Sequence, residues 1–316
     1  MRIILSRKGF DGENGGVPSP IFPDGRMATL PIPRKSQLSY SDINSPKPEF
    51  RHLGEIVEHL TGFRLSDSCR VHLDPDLDRG SIAHDEGWRG IFGQSATAQR
   101  ELEKSGVGVG SLFLFFGQFR RVETDSKRQL RYVKGSPVEQ VIFGWLRVGS
   151  IYRLPGDIAQ VPSWARYHAH LHFAKIEPTP NVIYIAAEEL DATTKIPGWG
   201  VFHHFHKGLR LTHPVPLLNK KGKPKTLPSR WQLPAWMYPW KDFEKPRPWL
   251  THHPKQGSWT GSDDNHATLQ TQGRGQEFVL DANAYPEAWP WAKELIEQYS
   301  SLIGNRLTNA VSQSQS

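Results

Sequence analysis

Val109-Gly110-Ser111-Leu112-Phe113-Leu114-Phe115-Phe116-Gly117-Gln118-Phe119 is almost entirely apolar, and glycines bracket its aromatic run. Five consecutive large apolar side chains leave no polar face, so the segment reads as a β-strand buried on both sides. A second segment of this kind occupies residues 140–150, where Val141-Ile142-Phe143-Gly144-Trp145-Leu146-Arg147-Val148-Gly149 is again apolar and interrupted by glycine. The charged stretch 121–134 between them reads as a surface loop or hairpin arm. The two apolar segments are therefore expected to be the central strands of the sheet.

Outward from this pair, Ile3-Ile4-Leu5 is a short buried strand that opens into Ser6-Arg7-Lys8-Gly9-Phe10-Asp11. Residues 12–50 are rich in Gly, Pro and Ser, yet Ile21, Phe22, Leu30 and Ile32 need burial, so the stretch is an ordered irregular crossing. Leu53, Ile56, Val57 and Leu60 have helical spacing, and Gly62 can stop that helix. Residues 95–104 predict a second helix with Ser95 as N-cap and Gly106 past its end. Residues 167–173, 181–187 and 202–211 are further strand candidates, and 277–280 is short and extended. A last helix spans 290–302, with Pro290 at its first position and Gly304 beyond its end. Residues 305–316 are polar and Ser/Gln-rich and form a flexible C-terminal tail. The expected class is α+β, a mixed and largely antiparallel sheet or partial barrel with flanking helices and long irregular insertions, in one domain over residues 1–304.

Composition sets limits on function. The 316 residues carry 28 glycines and 25 prolines, which implies many turns, and 11 tryptophans, which supply core area. Cys69 is the only cysteine, so an intrachain disulfide and a cysteine-based zinc site are excluded and a reducing cytoplasm is expected. No apolar run approaches the roughly 20 residues needed to span a membrane. The net charge of +7 is concentrated, because residues 217–256 alone hold nine Lys or Arg against two acids. A local basic surface points to a polyanionic partner, with DNA or a nucleotide first.

Several residue patterns can carry chemistry. Arg7, Lys8, Asp11 and Ser19, on a glycine-containing loop at a strand's carboxyl end, suit a nucleotide or other anion. If residues 167–173 form a strand, His168, His170 and His172 share one face, and two imidazoles at i and i+2 can hold one metal. His72-Leu73-Asp74 has the His-x-Asp form that joins a distal histidine in two-histidine, one-carboxylate iron sites. His168 or His170 is the candidate third ligand. The candidate metal set is thus His72, Asp74, His168 and His170 around a divalent cation, with His168, His170 and Asp74 as the reactive centre. Two alternatives stand beside it: a turn in which Asp74 caps its neighbours, and a hard-cation site built from Asp74, Asp76 and Asp78. His203, His204 and His206, with His213 nearby, form a weaker second cluster. Lys220, Lys221, Lys223, Lys225 and Arg230 lie beside Trp231 and Trp236, a mixture that suits single-stranded or flipped nucleotides. No phosphate-binding glycine loop, nucleophile elbow or zinc-deaminase pattern is present.

The chain also resembles a known family. Ser6-Arg7-Lys8-Gly9-Phe10-Asp11 with Gly16-Val17-Pro18-Ser19-Pro20-Ile21 is similar to the opening of the nucleotide modification associated domain family, third type. So are His72-Leu73-Asp74-Pro75-Asp76-Leu77, Phe92-Gly93-Gln94, Gly110-Ser111-Leu112-Phe113-Leu114-Phe115-Phe116-Gly117 and Gly275-Gln276-Glu277-Phe278. The resemblance implies a role in DNA base modification systems of bacteria and phages, alongside other components of such a system. It does not imply a reaction. The expected function is therefore a component that acts on or recognises a modified nucleotide with the help of a metal. The alternative is a non-enzymatic reader of modified bases, since glycine-bounded strand pairs also recur in small barrels of the PUA-like kind. The sequence leaves the choice between enzyme and binding module open.

Overall fold

The computed structural model describes residues 1–172, 180–240, 246–252, 258–271 and 277–300. Its elements in chain order are β1 (Arg2–Arg7), β2 (Ser19–Ile21), α1 (Leu53–Thr61), β3 (Ile91–Ser95), α2 (Ala96–Lys104), β4 (Leu112–Thr124), β5 (Leu130–Tyr132) and β6 (Glu139–Leu154). Then follow α3 (Ala169–His172), β7 (Asn181–Ala186), β8 (Trp199–Val201), β9 (Leu217–Leu218), β10 (Pro224–Lys225), β11 (Arg230–Pro234), β12 (Trp259–Ser262), β13 (His266–Gln270), β14 (Glu277–Asp281) and α4 (Ala288–Ser300). No helix among the described residues is long and apolar enough to cross a membrane.

The architecture is α+β, with a mixed sheet curled into a half-barrel. Its strand order is β14-β1-β4-β6-β7-β3, with β2 and β5 added to the far half of β4 and β8 to β6. The two apolar segments read from the sequence are its centre. β4 and β6 pair antiparallel from Leu112 opposite Arg147 to Phe119 opposite Glu139. Both outlast the apolar runs because their polar extensions find partners. Val122, Glu123 and Thr124 pair with β5 in the hairpin arm, and β6 continues along β7 to Leu154. β1 lies parallel to β4 on one side and antiparallel to β14 on the other, which makes the sheet mixed.

Curvature comes from two irregularities on β6. The register shifts at Phe115/Phe116 and again at Val148/Ser150. An extra residue on one strand bends it and raises the local twist. At the second shift a Cβ on Gly149 would lie 2.7 Å from the Ala187 backbone, so only glycine lets the strands close there. On one buried face of the sheet, Phe92, Phe113, Phe115 and Tyr184 form a cluster with ring centroids 5.0 to 5.8 Å apart. Such pairs contribute beyond their buried area.

A second core holds the irregular crossing. Phe10, Phe22, Leu30, Tyr40 and Ile43 pack on Leu53, Ile56 and Val57 of α1. That helix ends as expected at Gly62, which is left-handed at φ 61 and whose N–H reaches the Glu58 and His59 carbonyls. α2 spans the predicted residues, but the Ser95 side chain makes no capping bond. α4 begins at Ala288, two residues before the expected Pro290; residues 301 and 302, Gly304 and the 305–316 tail lie outside the described residues.

Two strand expectations fail. Residues 167–172 are a turn leading into α3, closed locally by the bond from the Leu171 N–H to the His168 carbonyl at 3.0 Å. The edge they would have occupied is already taken, since β7 pairs with both β6 and β3. Phe173 lies outside the described residues. Residues 202–211 leave the sheet after β8 and contain a 3-10 turn at Lys207–Leu209, where His206 Nδ1 accepts from the Gly208 N–H at 3.2 Å. His203, His204 and His206 therefore share no strand face.

Truncating Phe115, 0 % exposed at the meeting of the aromatic cluster and the first β6 bulge, removes contacts on several sides. Phe115→Ala is expected to lower unfolding free energy by about 3–5 kcal/mol, read as a shift of the urea midpoint with an unchanged slope.

Candidate metal centre

Residues 72–76 cross between the irregular insertion and β3. The His72 N–H donates to the Ile32 carbonyl at 2.9 Å. Asp76 and Ile91 exchange two backbone bonds of 2.9 Å. Between these clamps Asp74 turns its carboxylate inward, where Oδ1 accepts from the Gly93 N–H at 2.8 Å. The capping role read from the sequence is thus present, directed at β3 rather than at its own turn.

Three imidazoles converge on that carboxylate. His72 Nε2 lies 3.4 Å from Asp74 Oδ2, His170 Nε2 3.5 Å from Oδ2, and His168 Nε2 3.4 Å from Oδ1. His168 and His170 arrive from the turn before and within α3, so a helical turn brings together what a strand face was expected to align. His172, the third member of the expected face, is exposed and meets Gln37 instead. One ligand atom each from His72, Asp74 and His170 lies within 4.8 Å of the others.

The protonation pattern of this cluster can be deduced. Asn181 Nδ2 donates to the His170 carbonyl at 3.3 Å, which fixes the amide orientation. Asn181 Oδ1 therefore faces His170 Nδ1, at 2.7 Å, and that nitrogen must carry the proton. His170 Nε2, on the other side of the ring, is the nitrogen that faces Asp74. His168 is the opposite case, since its Nδ1 accepts from the His170 N–H at 3.4 Å and its buried Nε2, 3.4 Å from Asp74 Oδ1, makes no hydrogen bond among the described residues. His72 Nδ1 is buried and has no hydrogen-bond partner among the described residues. Burial pushes the Asp74 carboxyl up, but the facing His168, His170 and His72 side chains outweigh it and hold the group well below the usual carboxylate range. Burial holds His72 below the usual imidazole range, against the pull of Asp74.

Gly93 makes this packing possible. A Cβ there would sit 2.3 Å from His170 Cδ2 and 2.8 Å from Nε2. Asp74, Asp76 and Asp78 do not converge. Asp76 belongs to a separate buried network, where Oδ2 accepts from Tyr167 Oη at 2.5 Å and lies 2.9 Å from His84 Nε2, and Trp88 Nε1 donates to Tyr167 Oη at 2.9 Å. Asp78 Oδ1 accepts from the Gly80 N–H at 2.9 Å. Gly93, Asn181, His84, Tyr167 and Trp88 were not singled out from the sequence as site residues. Only Gly93 carried a signal, as part of Phe92-Gly93-Gln94.

The other predicted residues lie elsewhere. Lys8 Nζ is 2.7 Å from Glu277 Oε1, and Gln94 Nε2 donates to the same oxygen at 2.5 Å, so the Lys8 charge is matched inside the sheet. Ser19 is buried with its Oγ accepting from the Leu30 N–H at 3.1 Å. Asp11 Oδ1 caps the Glu13 and Asn14 N–H groups, and its Oδ2 stands 3.9 Å from Arg7 Nη2. Arg7 and Asp11 are together, and Lys8 and Ser19 point to other partners. Trp231 is a core residue, 1 % exposed, with its indole N–H on Gln140. Trp236 packs on Tyr285 and Trp291. Trp231 presents no free ring face to a base, and Trp236 is half-buried. Lys220, Lys221, Lys223 and Lys225 are exposed on β9–β10 and its turn. Gly275 and Gln276 lie outside the described residues.

Two cavities reach Leu73. One of about 10 Å³ is lined by His168 and Tyr167, close to the volume of a single water probe. The other, about 110 Å³, is lined by Pro75, Leu77, Phe143 and Phe202. It is the larger of the two but does not contain the histidines.

A mixed half-barrel with a buried carboxylate ringed by three histidines defines the class of protein by fold and site. The chain belongs to the family described as nucleotide modification associated domain 3, whose model matches residues 2–281. No curated protein and no solved structure matches it. The matched span includes every residue of the histidine–carboxylate cluster.

The tautomer deduction is testable by imidazole ¹⁵N NMR. His170 is expected as the Nδ1–H form in the wild type and as a tautomer mixture in Asn181→Ala. Gly93→Ala is expected to cost about 1–3 kcal/mol through overpacking against the ring, measured by chemical denaturation.

Proposed function

We propose that this protein is a metal-dependent enzyme of a DNA base modification system, in which His72, Asp74 and His170 hold one divalent transition-metal cation. The observation that supports it is the convergence of one ligand atom each from His72, Asp74 and His170 within 4.8 Å of one another, with Asn181 holding the His170 Nδ1 proton away from the centre. A neutral imidazole nitrogen and a carboxylate that face each other suit a shared transition-metal cation. Two histidines and one carboxylate also leave coordination positions open, as oxygen-activating and hydrolytic centres need. Bound there, the metal supplies a Lewis acid that activates water or a small co-substrate beside the base. Asn181 orients the His170 ring, as outer partners of ligating histidines do. The Gly93 N–H orients the carboxylate. The single cysteine supports a reducing, cytoplasmic setting. The family setting supports a nucleotide substrate and the company of other modification components.

The half-barrel itself favours a second reading, a non-enzymatic reader that cups a modified base in the curl of the sheet.

Metal content separates the two. Untagged wild-type protein analysed by mass spectrometry is expected to carry close to one equivalent of iron, manganese or zinc. Asp74→Asn and His170→Ala are expected to lose it, and His172→Ala to keep it. A wild-type protein that holds no metal after incubation with each ion overturns the enzyme reading and leaves the reader.

A further inference from the structure

The hairpin β9–β10 presents two kinds of side chain that a protein surface rarely leaves together. Leu218 is 71 % exposed, Val215 61 % and Leu217 43 %. Around them stand Lys220, Lys221, Lys223 and Lys225, with no carboxylate within 4.0 Å of any of these ammonium groups among the described residues. The stretch 217–225 contains no acid.

The tip is ordered by its own bonds. Asn219 exchanges a backbone bond of 2.9 Å with Lys223, and Asn219 Oδ1 accepts from the Lys221 and Lys223 N–H groups at 2.8 and 3.1 Å. Gly222 takes the left-handed conformation that closes the turn, at φ +69. The root is fixed to the body. The His213 N–H donates to the Arg230 carbonyl at 2.7 Å, and Arg230 Nη1 donates to the Val215 carbonyl at 2.9 Å. Next to Arg230 is the buried Trp231. The arm is therefore shaped at its tip and held at its root, with Leu218 and Val215 standing mostly in solvent.

We infer that this hairpin is a wedge for duplex nucleic acid: the four lysines grip the phosphate backbone and Leu218 enters the base stack. Cations without partners suit phosphates. Exposed leucine carried by such cations suits the partial unstacking by which apolar side chains open a base step. Unstacking is also what an enzyme needs before it can reach a base inside a duplex. An anionic bilayer has a charged exterior and apolar interior too, but membership of a nucleotide modification family favours nucleic acid. The inference rests on the nucleotide-modifying role proposed above but not on the metal, and it makes the substrate a base within a polymer rather than a free nucleotide.

The test uses the full chain and a labelled mixed-sequence duplex carrying 2-aminopurine. Fluorescence anisotropy is titrated at rising KCl. The combined Lys220→Ala, Lys221→Ala, Lys223→Ala and Lys225→Ala variant is expected to bind at least tenfold more weakly at low salt, with its log–log salt slope reduced by about 3 to 4, at about 0.9 per lost phosphate contact. Leu218→Ala is expected to keep the salt slope and lose the 2-aminopurine fluorescence rise that reports unstacking. Wild-type protein treated with EDTA is expected to bind and unstack like the untreated protein, so a failure of the metal centre and a failure of the wedge give different results. Unchanged affinity in the lysine variant overturns the inference, as does a wild-type complex with no fluorescence rise. Binding to phosphatidylserine vesicles without binding to the duplex overturns it in favour of a membrane.

Discussion

A carboxylate withdrawn from water is costly unless other groups replace the solvent, and the surroundings of Asp74 are arranged by that constraint. Its side chain is only 5 % exposed, and the Gly93 N–H and three imidazoles take the place of water. Each of those groups is supplied by a different part of the fold. His72 comes from the segment locked to the irregular insertion, Gly93 from β3, and His168 and His170 from the turn that precedes β7. Asn181, the first residue of β7, lies opposite Ser95 of β3 and also holds His170. Disturbing the β3–β7 pairing therefore disturbs the cluster, so sheet geometry and site geometry are coupled.

Much of this was legible beforehand, for identifiable reasons. Leu112 to Phe116 has no polar face, so its burial on both sides followed from composition alone. Leu53, Ile56, Val57, Leu60 and Gly62 combine a period with a stop, and the helix ends where they say. His72, Asp74, His168 and His170 were grouped because metal-type chemistry uses those residues in those short spacings. The grouping matches the geometry, although the path to it was different. A strand face predicted alignment of His168 with His170 and His172, whereas a helical turn delivers the first two and points the third to solvent. Local alternation could not reveal that β7 already pairs with both β6 and β3.

What stayed hidden depends on pairings distant in sequence. Nothing near Lys8 announces Glu277, and nothing near His170 announces the tautomer that Asn181 imposes. Trp231 looked like a stacking platform because its neighbours are basic, but strand alternation turns it into the core and leaves the lysines on a separate arm. Gly93 shows the limit most clearly. A glycine in an apolar strand reads as a flaw in packing, and its purpose appears only when the ring of His170 lies against it.

The sheet's mixed pairing has a consequence for how the chain comes together. β1 sits between β4 and β14, and the ion pair of Lys8 with Glu277 joins groups 269 positions apart. Contacts of such sequence separation are slow to form, since a long loop must close before they give anything back. On a ribosome the N-terminal strand emerges first and can lie beside β4 early, but one of its edges stays open until β14 has been made. An unpaired edge of this kind is a template for wrong partners. Lys8, carried inward next to that edge without its counter-charge, opposes burial until Glu277 arrives. The pair that neutralises charge in the finished molecule is thus completed only when β14 docks beside β1.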